Sequence, residues 1–376
     1  MNIAVNTRLL IKGKLEGIGW FTFESLKRIT TQHPEHHFYF IFDRPYDREF
    51  IFSGNITPIV LSPPARHPFL FYVWFELRLP GLLKKLNPDL FLSPDGYLSL
   101  RTGIKSVTVF HDLNFEHYPE HIPFLCRLHY RYYFPKYAQK AARIATVSQF
   151  SKDDIVKQYK IDPSRIDVVY DGANEDYMPV SLKEQEAIRK RFTGGCPYFI
   201  FIGSLHPRKN LANLFLAFDI FRKSTGSDVK LLIVGAKKWW TSDIRKTFES
   251  MEYSSEVVFS GRLNADELGS VLGSALALTY VSYFEGFGIP IVEAFRTGTP
   301  VITSNVTSMP EVAGNAAVLV DPLSPQSIAD AMIQLSQDPE LRKKLVLAGD
   351  LRKNEYTWQK TADRLWESVE NAVKQS

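Results

Sequence analysis

The stretch Glu285-Gly-Phe-Gly-Ile-Pro-Ile-Val-Glu293 has the composition of a glycine loop that leads into a helix. The apolar run 275–280 precedes it, and such a run is typical of a buried strand. Pro290 suits the first turn of a helix, and Gly298 suits its end. The segment therefore predicts a strand, a glycine loop and a helix in that order.

The glycine loop has the chemistry of an anion-binding site. Gly286 and Gly288 carry no side chain that would block a ligand, and the amides at the helix start near Ile289 present the positive end of the helix dipole. Glu285 and Glu293 flank this phosphate-compatible floor, where carboxylates can accept hydrogen bonds from sugar hydroxyls. The residues alone leave another interpretation open, in which Glu293 complements the helix dipole and Glu285 is a solvated loop residue.

The spacing of the two glutamates resembles a known signature. A Glu, seven residues and a second Glu, with Gly-Phe-Gly-Ile-Pro between them and Ser282 ahead of them, is similar to the motif of the retaining family-4 (group 1) glycosyltransferases of GT-B fold. The resemblance implies two Rossmann-like, doubly wound α/β domains that face each other across a cleft, and a C-terminal helix that crosses back to the first domain. It also implies that Glu285 lies beside the donor sugar and its diphosphate with Phe287 in the same site, and that Glu293 binds the ribose hydroxyls.

Length and charge narrow the class of protein. A chain of 376 residues is too long for one ordinary core, and 45% hydrophobic residues are normal for a globular protein. The 45 basic and 41 acidic residues give a net charge of +4, which is too small to indicate a nucleic-acid partner. We predict a first domain of residues 1–178 joined by the helix 356–376, and a second domain of residues 179–355.

The compartment is predicted from what the sequence lacks. Cys126 and Cys196 show neither metal-ligand nor disulfide-framework spacing, which fits a reducing cytoplasm. The N-terminus is typical of a first strand and not of a signal peptide. The most apolar segment, 69–75, is too short to span a bilayer. We therefore expect a cytoplasmic protein, with the inner face of the membrane as a further candidate location.

Strand and helix patterns alternate through the first half of the chain. Beyond the first strand, strands are predicted at 37–42, 56–61, 89–92, 106–110, 143–147 and 166–170, with helices between them such as 69–86 and 124–142. This alternation indicates a parallel, doubly wound sheet, whose ligands bind beyond the strand ends. Gly17 and Gly19 fall in a predicted loop before a helix from Trp20, where glycines allow a ligand to approach the backbone. The resemblance places this loop beside the diphosphate and the acceptor.

His111 and Asp112 directly follow a predicted strand. An imidazole and a carboxylate in one loop can perform acid/base chemistry, or they can be a capping Asp beside a bystander His. The resemblance implies that His111 reaches the donor sugar and that Asp112 shapes the loop. Ser148 or Ser151, after a later strand, is interpreted as a helix cap.

The second domain opens with a strand that leads into Gly203-Ser-Leu-His-Pro-Arg208-Lys209. Two cations on a strand-to-helix loop suit a diphosphate, because Arg208 can fork across two oxygens while Lys209 acts as a point charge. The alternative is an exposed basic turn, but the resemblance favours a diphosphate site. It also places the turn at Arg262 beside the nucleobase.

We therefore predict a glycosyltransferase that moves a hexose from a GDP- or UDP-sugar to a glycan or lipid-linked acceptor in cell-surface polysaccharide synthesis, with retention at the anomeric carbon. Mannose is the first choice of sugar, by general resemblance only. The rival hypotheses are a nucleotide-sugar hydrolase or epimerase on a similar frame and a non-catalytic nucleotide-sugar binding protein. Formation of a transfer product from the donor would separate them.

Neither a cofactor nor a metal is expected. No Asp-x-Asp pair occurs in the predicted site loops, so Arg208 and Lys209 with the helix-start amides would supply the charge that a metal supplies elsewhere. The aromatic and basic stretches 66–85 and 127–140 suit contact with an anionic membrane, although core-facing helices explain them equally well. The sequence gives no indication of the oligomeric state.

Overall fold

The computed structural model describes residues 1–236 and 240–374. The chain forms two compact units, Met1–Gly172 with Trp358–Ser376, and Ala173–Thr357. The first change of unit falls before residue 173 and not after residue 178, because Tyr177 packs in the second unit: a Cβ built on Gly269 would lie only 3.0 Å from the Tyr177 ring. The second change falls at residue 358 in place of 356, and the last two residues of the predicted range 356–376 lie outside the described part.

The first unit contains a seven-stranded sheet. Its strands are β1 (Asn2–Asn6), β2 (His37–Phe42), β3 (Ile56–Val60), β4 (Leu90–Ser93), β5 (Ser106–Phe110), β6 (Arg143–Thr146) and β7 (Ile166–Val168). They lie in the order β3-β2-β1-β4-β5-β6-β7, and each pairing is parallel. The strands β4, β5 and β6 are buried along their whole length, as expected for a parallel sheet that helices cover on both faces.

Six helices connect these strands: α1 (Gly17–Gln32), α2 (Pro68–Tyr72), α3 (Leu79–Leu86), α4 (Asn114–His117), α5 (Phe124–Lys140) and α6 (Gln149–Tyr159). A π-helical segment, Val73–Arg78, joins α2 to α3, so the predicted helix 69–86 continues through Pro80. The expectation of a glycine loop before Trp20 was wrong, because Gly17 and Gly19 lie inside the first turn of α1. Ser148 caps α6 as predicted, its Oγ accepting from the Ser151 amide at 3.0 Å.

The second unit contains a six-stranded sheet. Its strands are β8 (Tyr198–Ile202), β9 (Lys230–Val234), β10 (Val257–Gly261), β11 (Ala277–Tyr280), β12 (Val301–Ser304) and β13 (Val318–Val320). Its helices are α7 (Leu182–Thr193), α8 (Leu211–Thr225), α9 (Ser242–Glu249), α10 (Ala265–Gly273), α11 (Ile289–Thr297), α12 (Met309–Ala313), α13 (Pro325–Gln337) and α14 (Pro339–Arg352). The strand order is β10-β9-β8-β11-β12-β13, again with parallel pairings.

Helix α7 occupies a polar, charged stretch near the start of the second unit. Its composition is polar, so no apolar periodicity marks it in the sequence. The available signal was the cap, since Ser181 and Glu184 have the spacing of a capping box and the Ser181 Oγ accepts from the Glu184 amide. Gly194 ends the helix in the left-handed conformation.

The last helix, α15 (Trp358–Lys374), belongs to the first unit, as predicted. It packs along α1, and the Thr361 hydroxyl donates to the Tyr170 carbonyl at 2.7 Å. Its buried residues include Leu365, Trp366 and Val369. Within the described part of the chain, none of the helices combines the length and the hydropathy that crossing a membrane requires.

Candidate functional site

The predicted anion-binding loops lie at the carboxyl edge of the second sheet. Gly203 follows β8 and Glu285 follows β11, and these two strands are neighbours although they are not consecutive in the chain. The strand order therefore reverses between them, and such a switch point is where open α/β sheets bind their ligands. Serine and threonine residues that follow β12 lie beside the same edge, because β12 pairs with β11.

Three charged side chains from two separate loops converge here. The Arg208 Nη1 lies 2.5 Å from the Glu285 Oε2, and the Lys209 Nζ lies 2.6 Å from the Glu285 Oε1. Arg208 also donates to the Phe284 carbonyl at 3.0 Å, and Lys209 donates to the Tyr280 hydroxyl at 2.5 Å. Glu285 is 5% exposed and Lys209 is 7% exposed. The interpretations of Glu285 as a solvated residue and of the cations as an exposed basic turn are therefore wrong.

The two cations determine the charge state of Glu285. Burial by itself raises the pKa of this carboxyl, but Arg208 and Lys209 outweigh burial and bring the pKa to about 2. Glu285 is consequently an anion at any pH near neutrality and acts as a hydrogen-bond acceptor. With two cations and one anion, the cluster carries a net positive charge, which suits an anionic ligand.

The loop from Glu285 to Ile289 is held by the segment that follows β12. Ser308 donates from its Oγ to the carbonyls of Glu285 and Phe287, at 2.9 and 3.0 Å. Ser308 stands at the N-cap position of α12, but its side chain makes no capping bond to this helix. Ser308 instead fixes the glycine loop. Gly288 adopts φ +107° as the cap of α11, a conformation that glycine permits at little cost.

Glu293 differs from Glu285 in having no salt bridge to any residue in the described ranges 1–236 and 240–374. It lies in α11 and is partly buried, and no hydrogen bond to its carboxylate is found among the described residues. Burial raises its pKa from 4.5 to about 7. Burial disfavours the charged form of Glu293, and the helix dipole does not compensate for it, because Glu293 lies beyond the first turn of α11.

His111 lies in the first unit, at the carboxyl end of β5. Its Nε2 donates to the Pro94 carbonyl at 2.8 Å, and its ring packs edge-on against Phe21 at 4.9 Å. Burial lowers the pKa of this imidazole, although the Pro94 carbonyl and the nearby Asp112 favour the protonated form. The neutral ring therefore offers Nδ1 as an acceptor. Asp112 accepts from the Asn114 amide and so shapes the loop, as expected.

Three further residues, Arg262, Gly17 and Gly19, were predicted to contact the substrate. Arg262 is exposed after the edge strand β10, and β9 separates that strand from β8. Gly17 and Gly19 lie in α1 of the first unit, where Gly19 packs against Leu15. The roles assigned to these residues stay predictions.

Comparison with protein families decides what kind of protein carries this site. The model of "Glycosyl transferases group 1" matches residues 183–352, and the model of "Glycosyltransferase Family 4" matches residues 17–177. Together the two models span most of the chain. The chain belongs to the group 1, family-4 glycosyltransferases. The first match covers the ion cluster, Glu293 and Ser308, so these residues belong to the domain that defines the family.

One curated relative of this glycosyltransferase is the O-antigen chain mannosyltransferase B of Escherichia coli. It is 28% identical over 298 residues, which are 78% of this chain and 78% of the relative. Solved structures confirm the GT-B fold. WaaG, a glycosyltransferase involved in lipopolysaccharide biosynthesis, has a TM-score of 0.74 at 17% identity and covers 100% of both chains. Anabaena HepE in complex with UDP and glucose has a TM-score of 0.75 at 15% identity and covers 98% of this chain and 99% of its own.

Sequence reasoning missed a buried polar cluster in the first unit of this glycosyltransferase. The Arg8 Nε lies 2.6 Å from the Asp95 Oδ2, and the Asn6 amide donates to the Asp95 Oδ1 and to the Ser93 Oγ. The Arg8 guanidinium stacks over the Tyr97 ring at 4.5 Å. The signal was polar residues directly after β1 and β4, which are adjacent but not consecutive strands and so form the switch point of the first sheet.

Gly235 lies directly against the start of the loop that carries Arg208 and Lys209. Gly235 adopts φ +157° after β9, and a Cβ built on it would lie 1.9 Å from the Gly203 carbonyl oxygen. Any side chain at residue 235 must therefore displace the backbone at Gly203, at the start of the cation loop.

We expect Gly235→Ala to destabilise the protein by about 1–3 kcal/mol, since overpacking and an unfavourable φ act together. Nucleotide affinity should fall with it, because the cation loop moves. Chemical denaturation and calorimetry with UDP and GDP measure the two effects. Gly103→Ala is the control, since a Cβ there has no atom within 4 Å. Unchanged stability of Gly235→Ala would contradict the close approach of the two loops.

Proposed function

We propose that this glycosyltransferase transfers a hexose, with mannose as the first candidate, from a GDP- or UDP-sugar to a glycan or lipid-linked acceptor in cell-surface polysaccharide synthesis. The transfer retains the anomeric configuration and needs no metal. The choice of mannose and of a polysaccharide acceptor is supported by the E. coli relative, an O-antigen chain mannosyltransferase. A nucleotide-sugar donor is supported by HepE, whose structure holds UDP and glucose.

The cluster of Arg208, Lys209 and Glu285 carries this proposal. A departing nucleoside diphosphate gains negative charge at the moment of transfer, so preorganised cations stabilise the transition state more than the ground state. Glu285 already holds both cations, one at each carboxylate oxygen, before a ligand binds. The start of α11 adds the positive end of a helix dipole.

Glu285 cannot be the acid of the reaction, since its pKa of about 2 keeps it ionised. It orients the cations and can accept a hydrogen bond from a hydroxyl of the donor sugar. In the proposed route the acceptor attacks from the face that the diphosphate leaves, and a phosphate oxygen takes the acceptor proton. The protein then contributes positioning and charge stabilisation.

The test is turnover with a panel of donors: GDP-mannose, GDP-fucose, UDP-glucose and UDP-N-acetylglucosamine. Slow release of the nucleotide without acceptor should single out one donor, and NMR of a glycan product should show an α-linkage from an α-donor. An inverted linkage would contradict retention. Nucleotide binding without any release or transfer would support a binding protein in place of an enzyme, and a free epimerised sugar nucleotide would support an epimerase.

We expect His111→Ala to lower turnover more than nucleotide affinity. The neutral imidazole offers Nδ1 to a sugar hydroxyl, while its other nitrogen is bound to the Pro94 carbonyl. Loss of one neutral hydrogen bond corresponds to about 0.5–1.5 kcal/mol, and positioning losses add to it. Steady-state kinetics and calorimetry with the bare nucleotide measure the two quantities. Equal losses in both would instead indicate a collapsed loop, and His67→Ala is an exposed control.

We propose that the protein reaches its acceptor at an anionic membrane surface, which it contacts through one face of α5. Phe124, Leu128 and Tyr132 are 61%, 50% and 57% exposed, and their spacing puts them on one side of the helix. The Arg127 guanidinium lies 5.3 Å from the Phe124 ring centroid, and Arg131 is exposed. Aromatic and basic side chains together favour the headgroup region.

The structure corrects which segment can make that contact. The stretch 66–85 was one of the two predicted membrane-contact segments, yet Phe71, Trp74 and Phe75 within it are buried in the core of the first unit. Phe69 and Leu77 of this stretch remain exposed. The α5 face, formed by Phe124, Leu125, Leu128 and Tyr132, combines more exposed apolar side chains and begins just before the predicted stretch 127–140, so we propose it as the surface that meets lipid.

We expect the protein to co-sediment with phosphatidylglycerol liposomes at low salt and to be released as salt screens the charges. The double variant Phe124→Ser/Leu128→Ser should abolish binding. Leu347→Ser, which changes an exposed leucine of α14, is the matched control. Wild-type protein that stays in the supernatant at low ionic strength would remove the membrane proposal and leave the donor proposal untouched.

A further inference from the structure

A compact group of nitrogen and oxygen ligands lies at the turn that follows α1. The turn His33-Pro-Glu-His36 is closed by the His36 amide, which donates to the His33 carbonyl at 3.2 Å. The Asn55 side-chain amide donates to the carbonyls of both histidines, at 3.1 and 3.0 Å. The backbone of this turn is therefore fixed at both ends.

The two imidazole rings of the turn are also fixed. Both stack on the Trp366 indole of α15, with centroid distances of 4.0 Å for His33 and 5.1 Å for His36. The two imidazole planes differ by only 10°. The His36 Nδ1 faces the Met1 amine at 3.0 Å, which leaves its Nε2 directed at Glu35.

The two ligand-atom distances to Glu35 suit one small cation. The Glu35 Oε1 lies 3.6 Å from the His33 Nδ1 and 3.4 Å from the His36 Nε2, and the ligand atoms of all three residues lie within 4.8 Å of one another. Ligands at about 2.1 Å from a tetrahedral ion are separated by about 3.4 Å. We propose that His33, Glu35 and His36 form a binding site for a divalent transition metal, with Zn²⁺ as the reference ion.

The donor set selects the class of metal. Two imidazole nitrogens and one carboxylate oxygen suit Zn²⁺, Ni²⁺ and Cu²⁺, whereas Mg²⁺ and Ca²⁺ prefer oxygen ligands. Glu35 is 59% exposed, so water can complete the coordination. When a metal binds the His36 Nε2, the ring proton lies on Nδ1. This N–H then donates a hydrogen bond to the Met1 amine, which must be neutral, so one proton is released to solvent.

Such a metal ion would join two helices of the first unit. The site follows the end of α1, and its rings pack on Trp366 of α15, so metal binding orders both sides of the α1–α15 contact. The ion would therefore stabilise the position of the last helix. None of its ligands belongs to the Arg208–Lys209–Glu285 cluster, so this inference stands apart from the proposed transfer reaction.

The experiment titrates ZnCl₂ into the full-length, EDTA-treated protein by calorimetry and repeats the titration with Glu35→Gln and with His33→Gln/His36→Gln. One saturable site is expected in the wild type. Glu35→Gln should weaken binding at least about tenfold, and the double histidine variant should lose the site. His67→Gln, which removes an exposed histidine outside the turn, should bind like the wild type.

A second readout reports where the ion sits. Saturating Cu²⁺ should quench indole fluorescence in the wild type, and the Trp366→Phe variant should lose most of that quenching while its metal stoichiometry is kept. Zn²⁺ should also raise the melting temperature of the wild type and leave that of the double histidine variant unchanged. Absence of a saturable Zn²⁺ site, or an equal site in the double histidine variant, would overturn the proposal. The donor panel without added metal tests the transfer proposal independently.

Discussion

Replacing Lys209 with alanine is expected to lower turnover by roughly 30- to 1000-fold, which corresponds to about 2–4 kcal/mol of transition-state stabilisation. The Lys209 ammonium is buried and bonded to Glu285 and Tyr280, so it is already oriented before the donor arrives. Its charge is needed most when the diphosphate leaves. Turnover should therefore fall further than the affinity for the bare nucleotide, as kinetics and calorimetry can measure.

Two controls separate this effect from misfolding. Lys209→Met keeps most of the buried side-chain volume and removes only the charge, so its turnover should fall as in the alanine variant while its melting temperature stays closer to the wild type. Lys190→Ala removes an exposed lysine of α7 and should leave turnover unchanged. Turnover that survives in Lys209→Met would exclude the electrostatic role.

A wild-type rate abolished by EDTA and restored by Mn²⁺ or Mg²⁺ would contradict a transfer step in which protein cations replace a metal.

The Glu293→Gln variant should change stability and binding in opposite directions. Nucleotide affinity should fall by about 1.5–3 kcal/mol, roughly 10- to 150-fold, because the ribose hydroxyls lose a charged acceptor. Stability at pH 8 should rise by up to about 3 kcal/mol, because the variant no longer keeps an unpaired carboxylate partly buried. Denaturation and nucleotide calorimetry measure the two quantities.

The pH dependence of both effects follows from the direction of the pKa shift. Burial raises the Glu293 pKa from 4.5 to about 7, so the wild type pays no penalty below pH 4.5, where the carboxyl is neutral in both states. The penalty grows as pH rises from 4.5 to about 7 and is then constant. Wild-type nucleotide affinity should increase through the same upper range as the carboxylate forms, and Glu293→Gln should lack this increase. Glu186→Gln, on the exposed side of α7, is the control. Parallel pH profiles of Glu293→Gln and wild type would contradict the ribose role.

Local sequence patterns determined the fold class and most of its elements. The predicted strands 37–42 and 106–110 agree with β2 and β5. Strands of a parallel sheet are covered on both faces, so they appear in the sequence as short apolar runs. The helix predicted between Pro290 and Gly298 ends at Gly298 as expected, because proline and glycine act on their own backbone. The residues of the ion cluster were also identified in the sequence, through the family motif. In polar α7 the apolar signal is weak, and the cap residues are what mark the helix in the sequence.

The tertiary structure decided which of these side chains act together. Arg208 and Glu285 follow different strands, and only the order β8-β11 in the sheet brings them into an ion pair. The same holds for Arg8 and Asp95, which meet because β1 lies beside β4. Ser308 stands at the start of α12, yet its hydroxyl donates to the glycine loop that follows another strand. A pattern along the chain reports on backbone preference and burial, whereas the partner of a charge or hydroxyl depends on which distant strand becomes its neighbour.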